Sequence, residues 1–267
     1  MKSEMNSPLS NINLDGFRVE KSKADQRADI ILDRPPLNVI SMRQRGQIRS
    51  TFEALDLDDD VRVIVLRGEG DHFSSGGEIG EFLTASPEHV SRLADHIAAP
   101  TRCLKPVIAA NRGYCFGVGF EISLACDFRV ASTTCLYALP EQQLGQIPGS
   151  GGSARLQKMV GITRTKNIVM RSQRISGQTA LEWGFISECV PDEKLESTVA
   201  NLAEELRSLS PLAQRTAKKL LNQTEDSSLS VAIEMEGQMY SRLRSSEDFA
   251  EGVSAFSEKR KPIFKGN

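Results

Sequence analysis

The first half of the chain alternates between apolar runs typical of β-strands and stretches with helical spacing, and this order limits the possible folds more than any other feature. The strand-like runs are "ADIILD", "VRVIVLRG", "KPVIAANRG" and "DFRVAS". Between the first two, "SMRQRGQIRSTFEALDLD" places Met42, Ile48, Phe52 and Leu55 at helical spacing after Ser41, a residue type that caps helix N-termini. Because parallel strands need crossover connections, this order predicts an α/β fold with largely parallel pairing.

The second half of the chain has almost no strand-like runs. "SGQTALEWG" predicts a short helix with Ser176 as its N-cap and Gly184 just past its end. Longer amphipathic helices are predicted over "SPLAQRTAKKLLNQ", "LSVAIEMEGQMYSRLRSS" and "SEDFAEGVSAFSEKRK". We therefore divide the chain into a flexible N-terminal arm (1–16), an α/β core (17–200) and a C-terminal helical region for packing and oligomerisation (201–267).

Composition narrows the possible partners. With 39% apolar and 25% charged residues, the 267-residue chain matches ordinary globular proteins, and its net charge of −2 argues against nucleic-acid binding. No apolar run is long enough to span a membrane and no secretory signal is visible, so we expect a cytoplasmic protein. The five cysteines form no C-x-x-C pair and only three histidines are present, so no metal site is predicted.

The stretch "GYCFGVGFE" (113–121) at first suggests a dinucleotide-binding turn. Such a turn needs a third glycine near the position of Glu121, and a carboxylate there would oppose a bound pyrophosphate. Free N–H groups at a helix start can instead hold an oxygen that gains negative charge during a reaction. A second small-residue turn, "FSSGGE" (73–78), is a candidate for the other donor.

Four segments, in this order and spacing, carry a resemblance to a known family. The segments are "FSSGGEI", "GYCFGVGFEISLACD", "YALPEQQLGQIPGSGGSARL" and "EGVSAFSEKRKPIFKG". Together they resemble the enoyl-CoA hydratase/isomerase (crotonase) family, from about residue 17 to the C-terminus. The resemblance implies a crotonase-like spiral of repeated ββα units, a C-terminal helical trimerisation region, and a homotrimer or a dimer of trimers.

The resemblance also implies the catalytic groups. Glu121 would activate a water molecule and Glu141 would protonate the substrate, and the reverse assignment stays open. An apolar wall of Leu136, Tyr137 and Leu139 is expected to raise the pKa of Glu141 by desolvation. The backbone N–H groups of Ser75 and Val118 would form the oxyanion hole; the family usually has Gly or Ala at the second position, so the β-branch of Val118 is expected to narrow the pocket.

Further residues are implied for binding. The expected coenzyme A contacts are Pro36, Leu37, Val39, Ser75, Gly77, Ile79, Phe256 and Lys259, the last two often reaching the nucleotide of a neighbouring subunit. The acyl pocket is expected to include Phe116, Phe120 and Gln142. Gly151 and Gly152 are expected to allow close backbone approach beneath Glu141.

The favoured function is the hydration of a 2-enoyl-CoA to a 3-hydroxyacyl-CoA. Coenzyme A would enter as part of the substrate, with no metal and no other cofactor. Alternatives within the family are a double-bond isomerase, a hydratase-lyase acting on hydroxycinnamoyl-CoA, and a cyclic dienoyl-CoA hydratase or hydrolase. An acyl-CoA- or RNA-binding homologue with weak catalysis is a further alternative. A serine hydrolase is excluded because "GSG" is not G-x-S-x-G and no histidine follows His96.

Overall fold

The computed structural model describes residues 14–267, so the predicted arm (1–16) lies almost wholly outside the described residues. The strands are β1 (Phe17–Ser22), β2 (Arg27–Leu32), β3 (Val63–Gly68), β4 (Val107–Asn111), β5 (Tyr114–Phe116), β6 (Phe128–Ser132), β7 (Leu136–Ala138), β8 (Ile175–Ser176) and β9 (Glu188–Val190). The helices are α1 (Met42–Asp56), α2 (Ile79–Phe82), α3 (Pro87–Ile97), α4 (Ala99–Arg102), α5 (Val118–Ala125), α6 (Gly152–Met170), α7 (Gly177–Trp183), α8 (Leu195–Ser208), α9 (Pro211–Thr224), α10 (Leu229–Leu243) and α11 (Glu247–Glu258).

The strands form two sheets. The larger sheet has the order β1-β2-β3-β4-β6-β9, and the smaller has the order β5-β7-β8. Pairing in the larger sheet is parallel except between β1 and β2, as the strand and helix order predicts. In the runs β4-β5-α5 and β6-β7-α6, the chain adds one strand to each sheet and then a helix, which is a repeated ββα unit.

Local sequence signals place the helix ends correctly. Ser41 caps α1 by accepting a hydrogen bond from the Gln44 N–H, and the Gln44 side chain accepts from the Ser41 N–H in return. Ser176 caps α7, and Gly184 ends that helix in the left-handed conformation, with φ of 79°. Such caps depend on residues three or four positions apart, so the sequence alone identifies them.

Apolar side chains pack on both faces of the larger sheet. In β3, Ile64 and Leu66 belong to the main core, while Val63 and Val65 face a second cluster that includes Val199 of α8. This two-sided burial accounts for the continuous apolar run of the strand. The predicted boundary between residues 200 and 201 lies inside α8, a helix that packs on this sheet.

The C-terminal helices leave apolar side chains exposed. No residue of α10 is buried, and its exposed side chains include Leu229, Val231, Ile233 and Tyr240. On α11, Phe256 is 86% exposed. Within residues 14–267, no helix is long and apolar enough to cross a membrane.

Candidate active site

The site is built around an extended segment, residues 74–78, that lies between two other segments. On one side the Ser74 N–H donates to the Tyr114 carbonyl at 2.8 Å, and the Phe116 N–H donates to the Ser74 carbonyl at 3.0 Å. On the other side the Ile40 N–H donates to the Gly76 carbonyl at 2.9 Å. These bonds bring "RPPLNV", "FSSGGEI" and "GYCFGVGFE" together, as expected for parts of one site.

Asn38 fixes the first of these segments. Its φ of 51° places the backbone in the left-handed region, and its side-chain N–H groups donate to the carbonyls of Glu69 (2.9 Å) and His72 (2.7 Å). Its Oδ1 accepts from the Arg34 N–H at 3.0 Å. Asparagine tolerates this conformation better than most residues, so the "LN" of the loop has a structural reason.

The residues predicted to contact coenzyme A fall into two groups in the structure. Pro36, Leu37 and Val39 lie on the first segment and are all at least partly exposed, and Ile79 is 55% exposed at the start of α2. Ser75 and Gly77 lie on the adjoining segment. Phe256 and Lys259, at the end of α11, form no hydrogen bond or ion pair with these segments among residues 14–267.

The structure does not support the prediction that the Ser75 N–H is an oxyanion donor. Its N–H donates to the Leu37 carbonyl at 2.9 Å and is therefore occupied. Gly77 pairs with Ile40 in a parallel bridge: the Ile40 N–H donates to the Gly76 carbonyl, and the Glu78 N–H donates to the Ile40 carbonyl. In such a bridge the N–H of the bridged residue, here Gly77, points away from the partner segment. The intervening Gly77 N–H therefore faces the Phe116–Val118 side, and no described residue accepts its hydrogen bond.

Val118 supplies the second free donor. It begins α5, where backbone N–H groups have no partner within the helix. Gly117 enters this helix with φ of 50°, and a Cβ built on Gly117 would stand 3.6 Å from the Gly76 Cα. The Val118 side chain is 4% exposed and belongs to the main core, which places the β-branch in the core rather than in an open pocket.

Glu121 is buried and held by the start of α6. Its Oε1 accepts hydrogen bonds from the N–H groups of Ser150 (2.7 Å) and Gly152 (3.1 Å). Burial raises the pKa of Glu121 above its usual value, and the two N–H bonds oppose that rise. The expectation that Gly152 lies beneath Glu141 is wrong: a Cβ on Gly152 would meet the Glu121 Cγ at 3.0 Å.

Glu141 faces the same turn from a 3-10 turn over Pro140–Leu144. Its Oε1 lies 3.3 Å from the position of a Cβ on Gly117, and its buried Oε2 has no hydrogen-bond partner among residues 14–267. Burial and the nearby charge of Glu121 raise the pKa of Glu141 to about 7. Glu141 thus adjoins Gly117, and Glu121 is close enough for its charge to act on Glu141. Two neighbouring carboxyls with raised pKa values are suited to moving protons at neutral pH.

Arg45 is a residue that the sequence analysis missed. It lies on α1, is only 4% exposed, and its guanidinium carbon stands 5.3 Å from the Phe82 ring centroid. Helical spacing puts it on the same stripe as Ile48, Phe52 and Leu55, so the period of α1 contains the signal. Because Arg45 is one of several arginines in a charged stretch, its sequence context suggests a solvent-exposed residue.

The three predicted acyl-pocket residues lie in different environments. Phe120 is fully buried in the core, with its ring centroid 4.9 Å from that of Tyr137, which corrects the pocket assignment. Phe116 and Tyr114 are two residues apart on β5 and therefore share a face of the strand, where their ring centroids are 4.7 Å apart. Gln142 is exposed on the 3-10 turn.

The chain is similar to known proteins over most of its length. The sequence model for enoyl-CoA hydratase/isomerase matches residues 24–267. A Proteus mirabilis protein named carnitinyl-CoA dehydratase is 34% identical over 249 residues, covering 89% of this chain and 94% of that protein. "Probable enoyl-CoA hydratase 2, mitochondrial" of Arabidopsis thaliana is 30% identical over 245 residues, covering 90% of this chain and 81% of that protein.

Solved structures lead to the same conclusion about the fold. The crystal structure of enoyl-CoA hydratase from Bacillus anthracis superposes with a TM-score of 0.88 at 31% identity, covering 95% of this chain and 100% of that one. The predicted crotonase-like fold with C-terminal helices is thereby confirmed. Fold, motifs and relatives agree, and the chain belongs to the enoyl-CoA hydratase/isomerase family.

Proposed function

We propose that this protein adds water to a 2-enoyl-CoA thioester and forms a 3-hydroxyacyl-CoA. The observation that carries the proposal is a pair of carboxyls with raised pKa values: Glu141 lies beside Gly117, and the charge of Glu121 acts on it. Next to Glu141 are two backbone N–H groups that have no acceptor among residues 14–267. Hydration of a conjugated thioester needs a base for water, an acid for Cα and donors for the carbonyl oxygen. In our proposal all of these groups come from residues of the chain, and the proposed reaction uses no metal or redox cofactor.

In the proposed mechanism, Glu121 is the base. Because its Oε1 already accepts two N–H bonds, Oε2 is the oxygen available to a water molecule. The water oxygen bonds to Cβ of the substrate while its proton moves to Glu121. The electron pair of the double bond shifts toward the thioester, whose oxygen gains negative charge.

Glu141 is the acid, and the backbone holds the charge. With a pKa near 7 in the free protein, a large share of Glu141 is protonated at neutral pH and can donate to Cα. The N–H groups of Gly77 and Val118 stabilise the negative oxygen, with Gly77 replacing Ser75 as the proposed donor. Proton exchange with solvent then restores both carboxyls.

Conversion of each glutamate to glutamine tests the proposal. We expect wild-type protein to hydrate crotonyl-CoA and to dehydrate the 3-hydroxy product, with both directions followed at the absorbance of the conjugated thioester. Loss of one proton-transfer group costs about 10² to 10⁴ in rate, so Glu121→Gln and Glu141→Gln should each lose at least about a hundredfold in kcat. The Glu205→Gln variant, changed on the exposed face of α8, is the matched control.

Product identification separates hydration from the other family reactions. Mass spectrometry with H₂¹⁸O should show one ¹⁸O incorporated into the acyl chain. A shifted double bond, a shortened acyl chain or an opened ring would instead support an isomerase, a lyase or a ring hydrolase. Near-full hydration by either glutamine variant, with the wild-type fold verified by circular dichroism, would refute the two-carboxyl mechanism.

A further inference from the structure

Arg45 is a buried cation that forms no ion pair with any carboxylate of residues 14–267. Its side chain is 4% exposed, its Nε has no hydrogen-bond partner among residues 14–267, and within the same residues its guanidinium forms no ion pair. Its guanidinium carbon lies 5.3 Å from the centroid of the Phe82 ring. Removing a charge from water without pairing it is expensive, so such a group calls for a functional explanation.

The charged groups around Arg45 attract it without pairing with it. Glu121, Glu81 and Glu141 all act on it through space, while the Glu81 carboxylate is used by the Met42 N–H, which donates to it at 2.6 Å. His96, on α3, also senses the charge of Arg45. The two carboxyls of the proposed chemistry thus have Arg45 as a cationic neighbour, while its hydrogen-bonding capacity stays unused.

The guanidinium lies against Gly77. A Cβ built on Gly77 would stand 2.7 Å from Nη2 of Arg45, so any larger residue would displace the guanidinium. The N–H of the same glycine is the proposed donor to the thioester oxygen. A bound acyl group would therefore begin next to the residue that Arg45 touches.

We propose that Arg45 binds a carboxylate at the far end of the acyl group. The inferred substrate class is the mono-CoA thioester of an unsaturated dicarboxylic acid, and this assignment rests on the proposed hydratase function. The planar guanidinium offers paired N–H donors that match a carboxylate, and the ligand would supply the missing counter-ion.

The sign of the charge distinguishes this protein from one of its relatives. A carnitinyl group carries a trimethylammonium cation, and the relative from Proteus mirabilis is named for acting on it. A buried arginine beside the acyl group would repel such a cation. We therefore expect this protein to reject the positively charged substrate.

A charge series on one acyl skeleton tests the inference. The substrates are but-2-enoyl-CoA thioesters that carry at C4 a carboxylate, an isopropyl group or a trimethylammonium group; 5-carboxypent-2-enoyl-CoA extends the anionic arm by one methylene. We expect kcat/KM for the better anionic substrate to exceed that for the isopropyl substrate by about 10- to 100-fold, the range of a charge-assisted hydrogen bond. The trimethylammonium substrate should be the poorest.

Substitution of Arg45 shows whether this residue sets the preference. Arg45→Met keeps the length and apolar stem without the charge, and should reduce the ratio of anionic to isopropyl kcat/KM to about one, mainly through KM. Arg45→Lys should recover part of that ratio. Direct binding of the saturated analogue 4-carboxybutanoyl-CoA to wild type, against 5-methylhexanoyl-CoA by calorimetry, gives the same comparison without relying on a variant that folds.

The outcomes separate this inference from the proposed function. If wild type hydrates neither crotonyl-CoA nor any member of the series, the proposed function fails. If it hydrates crotonyl-CoA but no member of the series, hydration stands and the inference about Arg45 is wrong. If wild type hydrates the isopropyl substrate as well as or better than both anionic ones, or if Arg45→Met keeps the anionic preference, hydration stands and the inference about Arg45 is wrong.

Discussion

At the scale of single residues, the two carboxyls of the site are distinguished by what holds them. Glu121 accepts two backbone N–H bonds that favour its charged form, whereas the buried Oε2 of Glu141 has no partner within the described residues. Burial therefore acts on Glu141 with less opposition, and its pKa rises to about 7. This difference supports Glu121 as the base and Glu141 as the acid.

The pKa of Glu141 predicts how activity depends on pH. Below about pH 7 the carboxyl of the free protein is protonated and can donate; above it the proton is lost. We expect kcat/KM for hydration to fall by up to tenfold per pH unit above that value. A pH–rate profile from pH 5 to 9 measures this fall, and a flat profile through pH 9 would contradict the assignment of Glu141 as the acid.

The raised pKa of Glu141 also predicts how the free energy of unfolding depends on pH. A carboxyl whose pKa is raised by folding stabilises the folded state at low pH, and that contribution is lost as pH rises through the folded pKa. Glu141 is partly exposed, so the full shift overstates the effect, and a loss of about 1 to 2 kcal/mol is expected. The free energy of unfolding of wild type should therefore decrease relative to Glu141→Gln between pH 5 and pH 8.

At the scale of elements, the start of α6 positions the base. The Gly152 N–H bonds Glu121, and a Cβ on this glycine would stand 3.0 Å from the Glu121 Cγ and 3.1 Å from the Leu139 Cδ2. Such distances are shorter than ordinary van der Waals contact, so Glu121 has to move to admit even one methyl group. A displaced carboxylate can no longer hold water in the required place.

Gly152→Ala should therefore reduce kcat by about tenfold or more, with a loss of stability of about 1 to 3 kcal/mol from overpacking. Gly149→Ala, in the same loop, is the matched control because nothing lies within 4 Å of its Cβ. Steady-state kinetics and thermal unfolding of both variants provide the measurement. Equal kcat values for the two variants would show that α6 does not position Glu121 by close approach.

The sequence predicts those elements and site residues that depend on near neighbours along the chain. The cap of α1 by Ser41 and the end of α7 at Gly184 follow from spacings of three or four residues. Strand β1, "FRVEKS", was not predicted because its residues are mostly polar, and β2 supplies its antiparallel partner. Pairing of this kind becomes visible only when the chain is folded.

The same limit applies within the site. The motifs identify both glutamates, yet which carboxyl Gly152 supports depends on a contact between α5 and the start of α6. The direction of the Ser75 N–H depends on the pairing of its segment with Leu37. The helical period of α1 was sufficient to predict that Arg45 is buried. The prediction was missed because a charged residue is usually assumed to be exposed.

At the scale of the whole molecule, α10 leaves apolar side chains uncovered. A fifteen-residue helix with no buried residue and with Leu229, Ile233 and Tyr240 along one face has much apolar surface in water. Contiguous apolar patches of this kind mark association sites. We propose that this surface packs against other copies of the chain in a homotrimer or a dimer of trimers, consistent with the purpose inferred for residues 201–267.

Association can be tested with one charge placed on each face of α10. Ile233→Glu puts a carboxylate in the apolar stripe and should shift the mass measured by light scattering from that of a trimer or hexamer toward 29.4 kDa. Ser241→Glu adds the same charge to a polar face and should leave the mass unchanged. A wild-type protein that is monomeric at micromolar concentration would refute the proposed assembly.

Because α10 is not buried within one chain, we expect the stability of the folded state to depend on protein concentration. Proposed partners that cover this helix bind the folded chain and not the unfolded one, so by mass action they add a stabilisation that grows with protein concentration. The melting temperature should rise accordingly as the solution is made more concentrated. A newly synthesised chain would then have less stable C-terminal helices until the concentration of subunits is high enough for association.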